Sequence, residues 1–190
     1  DFCTHPESAV VIKLMDESPV FRPQFSIPER LQTIVDEQIE SWLSSKKIEL
    51  TSHANRWNAS LLLVPKQDLY GSKTDWRVCF DARAINTKLQ PDTYGIPRIK
   101  ELFLRVHGFR YCSSLDLVSA YHQLKVKKQY RDILSFMWKG KRYRFRGAPF
   151  GLSNLPGQFQ RLMNCVLVEH HSYVLVYLDD VFIFSNTLED

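Results

Sequence analysis

No stretch of this 190-residue chain runs apolar for 18 residues, which argues against a transmembrane helix. The opening DFCTHPESAV has neither the basic start nor the apolar centre of a secretory leader. Its four cysteines, Cys3, Cys79, Cys112 and Cys165, stand apart, with no CxxC pair and no close histidine partner. That pattern speaks against a zinc site or a disulfide framework and fits reduced thiols in an intracellular protein. Internal repeats and low-complexity linkers are missing as well.

What is present is a foldable chain. Apolar residues make up 44% and aromatics 13%, far from the composition of disorder, and the length suits one domain or two small ones. The net charge of +4 is modest but unevenly spread. Residues 1–50 carry nine acids and five bases, whereas Leu124 to Arg146 carry nine bases and one acid, Asp132. A polyanion-binding surface and a solvated lysine-rich hairpin both fit that segment.

Periodicity supplies the elements. In SIPERLQTIVDEQIESWLSSKK, Leu31, Ile34, Val35, Ile39, Trp42 and Leu43 recur at helical spacing. Ser26 and Glu29 form a candidate capping box, Pro28 suits the first turn, and Lys46 and Lys47 suit the C-terminal dipole. SLLLVPK and WRVCFD read as strands joined by a hairpin loop around Gly71. After Pro97, Ile99, Leu102, Phe103 and Val106 mark a short helix. FRYCSSLDL, HQLKV and ILSFMW read as strands. KRYRFR alternates, placing Tyr143 and Phe145 on one face and Arg142, Arg144 and Arg146 on the other, at a spacing able to meet successive phosphates. Phe159, Leu162, Met163, Val166 and Leu167 mark a second helix, and SYVLVYLDDVFIFS reads as two buried strands around a tight turn. Strands and helices alternate without a regular βαβ repeat, so the predicted class is α+β.

Asp179 and Asp180 sit in the middle of that last apolar stretch. An Asp-Asp pair is ordinary turn punctuation, but Leu178 and Val181 abut it directly. Two carboxylates in a small, partly dry space repel unless a cation intervenes. Asp116, at the end of the apolar strand in CSSLDLVSAYHQ, resembles them. If its strand lies beside YVLVYL, three carboxylates meet at one edge, a hard oxygen set of the kind that suits Mg²⁺.

Four blocks, in order, resemble the reverse transcriptases. VYLDDVFIFS is similar to their Y-x-D-D hairpin, and SSLDLVSAYHQ to the strand bearing their other metal-binding aspartate. LLLVPK followed by WRVCFDARAIN resembles their fingers hairpin and the segment after it. YRFRGAPFGLSNLPGQFQRLMN is similar to their P-F-G-L-x-N-A-P-x-x-F-Q-R-x-M-N block. The likeness is greatest to gypsy-type LTR retrotransposons, with retroviruses more distant. It implies a right-hand polymerase fold with an antiparallel catalytic sheet and packed helices. Fingers would occupy residues 1–91 and 124–155, and an incomplete palm residues 92–123 and 156–190. Thumb, connection and RNase H would belong to the rest of a Pol polyprotein.

The same resemblance implies roles. Asp116, Asp179 and Asp180 would be catalytic and, with the Leu117 carbonyl, would hold two Mg²⁺ ions, Mn²⁺ being a possible substitute. Lys66 and Arg77 would contact the triphosphate. Tyr121 would exclude ribonucleotides, and Phe150 and Gly151 would line the nucleotide and template pocket. Trp76, Arg83, Asn86 and Gln123 read as structural or template-positioning, while His122, His170 and His171 carry no chemistry. The implied partners are an RNA or DNA template with its primer and dNTPs, with no membrane, in a cytoplasmic retrotransposon particle. The alternative is an inert remnant that binds nucleic acid or serves as a scaffold. Leu155 and Gly157 depart from the family's usual alanines, and the fingers loop is longer than its usual turn.

Overall fold

The computed structural model describes residues 2–67 and 73–187. The first long element, α1 (Glu29–Ser44), buries Val35, Ile39 and Trp42 on one face. The chain enters it through Pro28, which makes no side-chain cap bond, so the capping box of Ser26 and Glu29 does not form. Its other end closes by a Schellman motif: Lys46 N–H donates to the Leu43 carbonyl and Lys47 N–H to the Trp42 carbonyl. Lys46 takes the left-handed backbone (φ 56°) usually given to glycine.

Three antiparallel sheets follow. In the first, β1 (Ile48–Leu50), β6 (Lys141–Phe145) and β5 (Ser135–Trp138) lie in the order β1-β6-β5. The β5–β6 connection is the two-residue loop Lys139-Gly140, with φ of 45° and 75°, which matches the strand twist. Phe136 and Phe145 are completely buried here, and Trp42 from α1 meets Phe145 edge-on at 5.2 Å. The second sheet is the hairpin of β2 (Leu61–Gln67) and β3 (Lys73–Phe80). Its predicted turn around Gly71 lies outside the described residues.

The third sheet joins β4 (Tyr111–Asp116), β8 (Asp180–Ser185) and β7 (Val174–Tyr177) in the order β4-β8-β7. The strand of Asp116 therefore pairs with the strand after the aspartate pair, not with YVLVYL as expected. β7 has three buried residues, whereas β8 is only partly buried, and β4 is exposed along its length.

Three helices complete the chain: α2 (Arg83–Asn86), α3 (Ile99–Val106) and α4 (Leu155–Val166). On α3, Leu102 and Val106 are half-buried but Phe103 is exposed. On α4, Phe159 and Leu162 are buried as expected, joined by Leu155 and Gln160, while Val166 is exposed. HQLKV is not a strand. Ala120–Gln123 is a 3₁₀ turn, and Lys125 and Val126 make only isolated bridges, to Gly147 and Val10. The observed class is the predicted α+β. Among the described residues no helix is long and apolar enough to cross a membrane.

Candidate active site

The register of the third sheet brings two of the three aspartates face to face, through β8 rather than β7. Asp116, last in β4, is the direct cross-strand partner of Asp180, first in β8. Facing residues of an antiparallel pair share one side of the sheet, and like charges in that position repel. Asp179 sits in the two-residue loop Leu178-Asp179, because Tyr177 pairs with Asp180. Leu178 holds φ at 57°, a conformation that costs a branched residue about 1–2 kcal/mol.

That strained turn is held from α4. The Gln160 side chain is completely buried; it accepts from Leu178 N–H at 3.1 Å and donates to the Val176 carbonyl at 3.0 Å. It also donates to Asn164 Oδ1 at 3.2 Å, and Asn164 in turn donates to the Tyr94 hydroxyl at 2.9 Å. Sequence reasoning missed Gln160. Its signal was a polar pair, Gln160 and Asn164, at i,i+4 inside an otherwise apolar helical pattern.

The residues between β4 and β6 bring an aromatic wall to the same place. Ser119, with φ of 52°, redirects the chain into the 3₁₀ turn that carries Tyr121. Tyr121 is buried edge-on against Phe150 at 5.0 Å and Phe159 at 5.3 Å. Burial, and then the charge of Asp179, push its hydroxyl above the usual range, which ties the ring electrostatically to the turn. Phe150 is about half exposed beside it. Gly151 needs its glycine, with φ of 98°, and Asn86 brackets this loop by donating to the Gly151 carbonyl and accepting from Ser153 N–H. His122 packs behind, edge-on to Phe150 and parallel to Phe145. Burial, and then the nearby Lys47 charge, lower its pKa to about 4.

Lys66 and Arg77 lie on one face of the β2–β3 hairpin, since Lys66 pairs with Asp75 and Val64 with Arg77. Both are exposed. Arg83 grips Asp81 through two 2.8 Å bonds, and Gln123 donates to the Val118 carbonyl.

The alternating arginines meet protein rather than solvent. Arg144 bonds Glu49 at 2.8 Å and Asp132 at 2.7 Å, and Arg146 lies 3.7 Å from Glu49. Arg131 reaches the same carboxylate at 3.2 Å. Arg142 is buried, with its guanidinium 5.9 Å from the centre of the Phe21 ring. The free guanidinium row expected from alternation is therefore occupied from within, because β6 is the central strand of its sheet.

Among the described residues no group of three or more His, Cys, Asp or Glu is close enough to cage a metal by itself. The edge offers instead two facing carboxylates, a third in the adjoining turn and the Leu117 carbonyl beyond β4. These hard oxygens suit an ion such as Mg²⁺, which keeps waters and completes its shell from phosphates.

A family model described as reverse transcriptase (RNA-dependent DNA polymerase) matches residues 64–190. The retrovirus-related Pol polyprotein from transposon 412 of Drosophila melanogaster is 33% identical over 92% of this chain, which spans 14% of that protein. The corresponding polyprotein from transposon gypsy of the same fly is 30% identical over 94% of the chain and 17% of its own length. The enzymatic polyprotein of cauliflower mosaic virus (strain Strasbourg) is 29% identical over 97% of the chain and 25% of its own length. The chain thus corresponds to about a quarter or less of these relatives. Among solved structures, the foamy viral protease-reverse transcriptase in complex with RNA/DNA hybrid superposes with a TM-score of 0.82 at 21% identity. That match covers 94% of this chain and 23% of the other, and it establishes the fold.

Proposed function

This chain belongs to the reverse transcriptase (RNA-dependent DNA polymerase) family, and from that premise we propose that it forms part of an RNA-directed DNA polymerase. In this reading residues 1–91 and 124–155 form the fingers, and residues 92–123 and 156–190 the first part of the palm. The observation that carries it is the register that sets Asp116 against Asp180 with Asp179 in the adjoining turn, beside Tyr121.

Each side chain has a task in adding a deoxynucleotide to a primer 3′-hydroxyl. Asp116, Asp179, Asp180 and the Leu117 carbonyl would hold two divalent cations, Mg²⁺ or Mn²⁺. When bound, such ions supply acidity to the 3′-hydroxyl and neutralise charge on the triphosphate. Lys66 and Arg77 bind the triphosphate from the hairpin, Lys66 as a point charge and Arg77 as a fork. Tyr121 is a rigid wall, wedged between Phe150 and Phe159. A ring so held bounds the sugar pocket and rejects a 2′-hydroxyl by contact. Phe150 and Gly151, bracketed by Asn86, support the base pair being formed. Of Arg142, Arg144 and Arg146, expected to meet phosphates, Arg144 and Arg146 would have to exchange carboxylate partners already in place.

The template and primer, the remainder of a Pol polyprotein and a cytoplasmic particle belong to the same proposal. The test is primer extension on an RNA template with Mg²⁺ or Mn²⁺, with Asp179→Asn as control. The chain is expected to extend slowly. The substitution should cost more than the ~10–100-fold typical of groups that only support metal ligands. Equal extension by the two proteins would remove the catalytic reading and leave the nucleic-acid-binding remnant.

A further inference from the structure

Lys66 does not present a free ammonium. Its Nζ donates to Asp75 Oδ2 at 2.9 Å, across the directly paired position of the β2–β3 hairpin. The Lys66 hydrogen bond, and then the backbone N–H of Trp76, hold the Asp75 carboxyl below the ordinary carboxylate range. Arg77 lies two residues further along the same face. The two side chains of the pair are 44% and 60% exposed, so water and ligands reach the bond and neither partner is locked by packing.

This arrangement has a direct consequence for an anionic ligand. A triphosphate that takes the Lys66 ammonium must displace the Asp75 carboxylate, which then stands unpaired close to the arriving negative charge. We propose that Asp75 is the internal counter-ion of Lys66 and sets the affinity of the hairpin for triphosphates, holding it below what Lys66 and Arg77 would give alone. The proposal rests on the reading of Lys66 as a triphosphate contact. It adds a residue that touches the other side of that contact and opposes it. The pair also parks Lys66 in one place when no nucleotide is present, so the carboxylate both pre-positions the ammonium and competes for it.

Asp75→Asn keeps the shape and removes the charge. An exposed pair is weak and screened by solvent, so the variant should bind triphosphate only about three- to fivefold more tightly at low salt. The gain should shrink as salt screens it. We would titrate the whole chain calorimetrically with dATP and, separately, with inorganic tripolyphosphate, magnesium present throughout. The four proteins are the parent, Asp75→Asn, Lys66→Ala and the double variant. Tighter binding by Asp75→Asn, with a smaller gain when Lys66 is already alanine, supports the counter-ion role. No gain, or an equal gain in both backgrounds, overturns it; in the latter case Asp75 would be only a general repulsive charge. If Lys66→Ala leaves binding unchanged, the triphosphate reading of Lys66 falls and the counter-ion role falls with it. If Lys66→Ala weakens binding while Asp75→Asn does nothing, only the counter-ion role fails.

Discussion

Gln160 shows how much one amide can be asked to do. Its carbonyl and its NH₂ meet two backbone groups at the start of the aspartate turn, and one of those groups belongs to Leu178, which sits at φ 57°. A strained conformation persists only where its surroundings over-determine it, and here the buried amide is a large part of those surroundings. Gln160→Leu would leave Leu178 N–H and the Val176 carbonyl unpaired next to an apolar side chain. Each orphaned buried group costs about 1–3 kcal/mol, so a loss of roughly 2–6 kcal/mol in denaturant unfolding is expected. Gln160→Glu should cost at least as much, since an ionised carboxylate buried there still accepts from Leu178 but faces the Val176 carbonyl and is an unpaired charge. Amide exchange at Leu178 separates local from global effects. In Gln160→Leu it should accelerate by more than exchange in the β5–β6 hairpin does, and uniform acceleration would mean that Gln160 is merely core packing.

At the scale of elements, the sequence was legible wherever the signal was local. The β5–β6 hairpin, α1, α4 and the aspartate turn all follow from period and from turn chemistry. The edge that sets Asp116 opposite Asp180 was legible only in part, because periodicity assigns faces whereas pairing partners are fixed by tertiary contacts. HQLKV looked like a strand because His122, Leu124 and Val126 alternate, yet Ser119 turns the backbone into a 3₁₀ segment that buries Ala120, Tyr121 and His122 together. Glu49 gave no signal. It is one acid in the three-residue β1, and only the pairing of β1 with β6 sets it against Arg144. Gly157 is a case where a departure from the family acquires a reason. A Cβ there would lie 3.3 Å from the Asp92 carboxylate, which Arg161 and the Tyr94 N–H already hold. Helix propensity alone favours Gly157→Ala by about 1 kcal/mol. The crowding of a tethered carboxylate should cancel that gain, so thermal unfolding is expected to show no stabilisation. Adding Asp92→Ala should release it, which makes the pair non-additive; a full gain in the single variant would show that Asp92 yields freely.

At the scale of the whole molecule, one large apolar core runs from Val10 to Leu162, and a smaller cluster of Val174, Val176 and Val181 backs the β4-β8-β7 sheet. His122 is buried in the large core, its Nδ1 without a partner and its pKa lowered to about 4, first by burial and then by Lys47. Unfolding returns it to an ordinary value near 6.5. Between those two values the unfolded chain binds the extra proton, so acid favours unfolding there. The stability that the neutral ring contributes is complete above pH ~6.5 and is lost as pH falls toward 4, at up to ~1.4 kcal/mol per pH unit. The shifted carboxylates act in another window. Asp36 and Asp81 are held below 3.8, chiefly by hydrogen bonds from Lys139 and Arg83 respectively, so what they contribute is retained above that value and lost only beneath it. The carboxylates begin to contribute as pH approaches 4, so His122 is read from the difference between parent and variant. Denaturant unfolding between pH 7 and 4 should therefore show a decline of up to about 3 kcal/mol in the parent. His122→Phe, which removes the titrating ring and its unpartnered nitrogen, should flatten that decline, and His122→Gln serves if the larger ring disturbs Phe145. A decline of the same size in both variants would place the acid sensitivity elsewhere in the molecule.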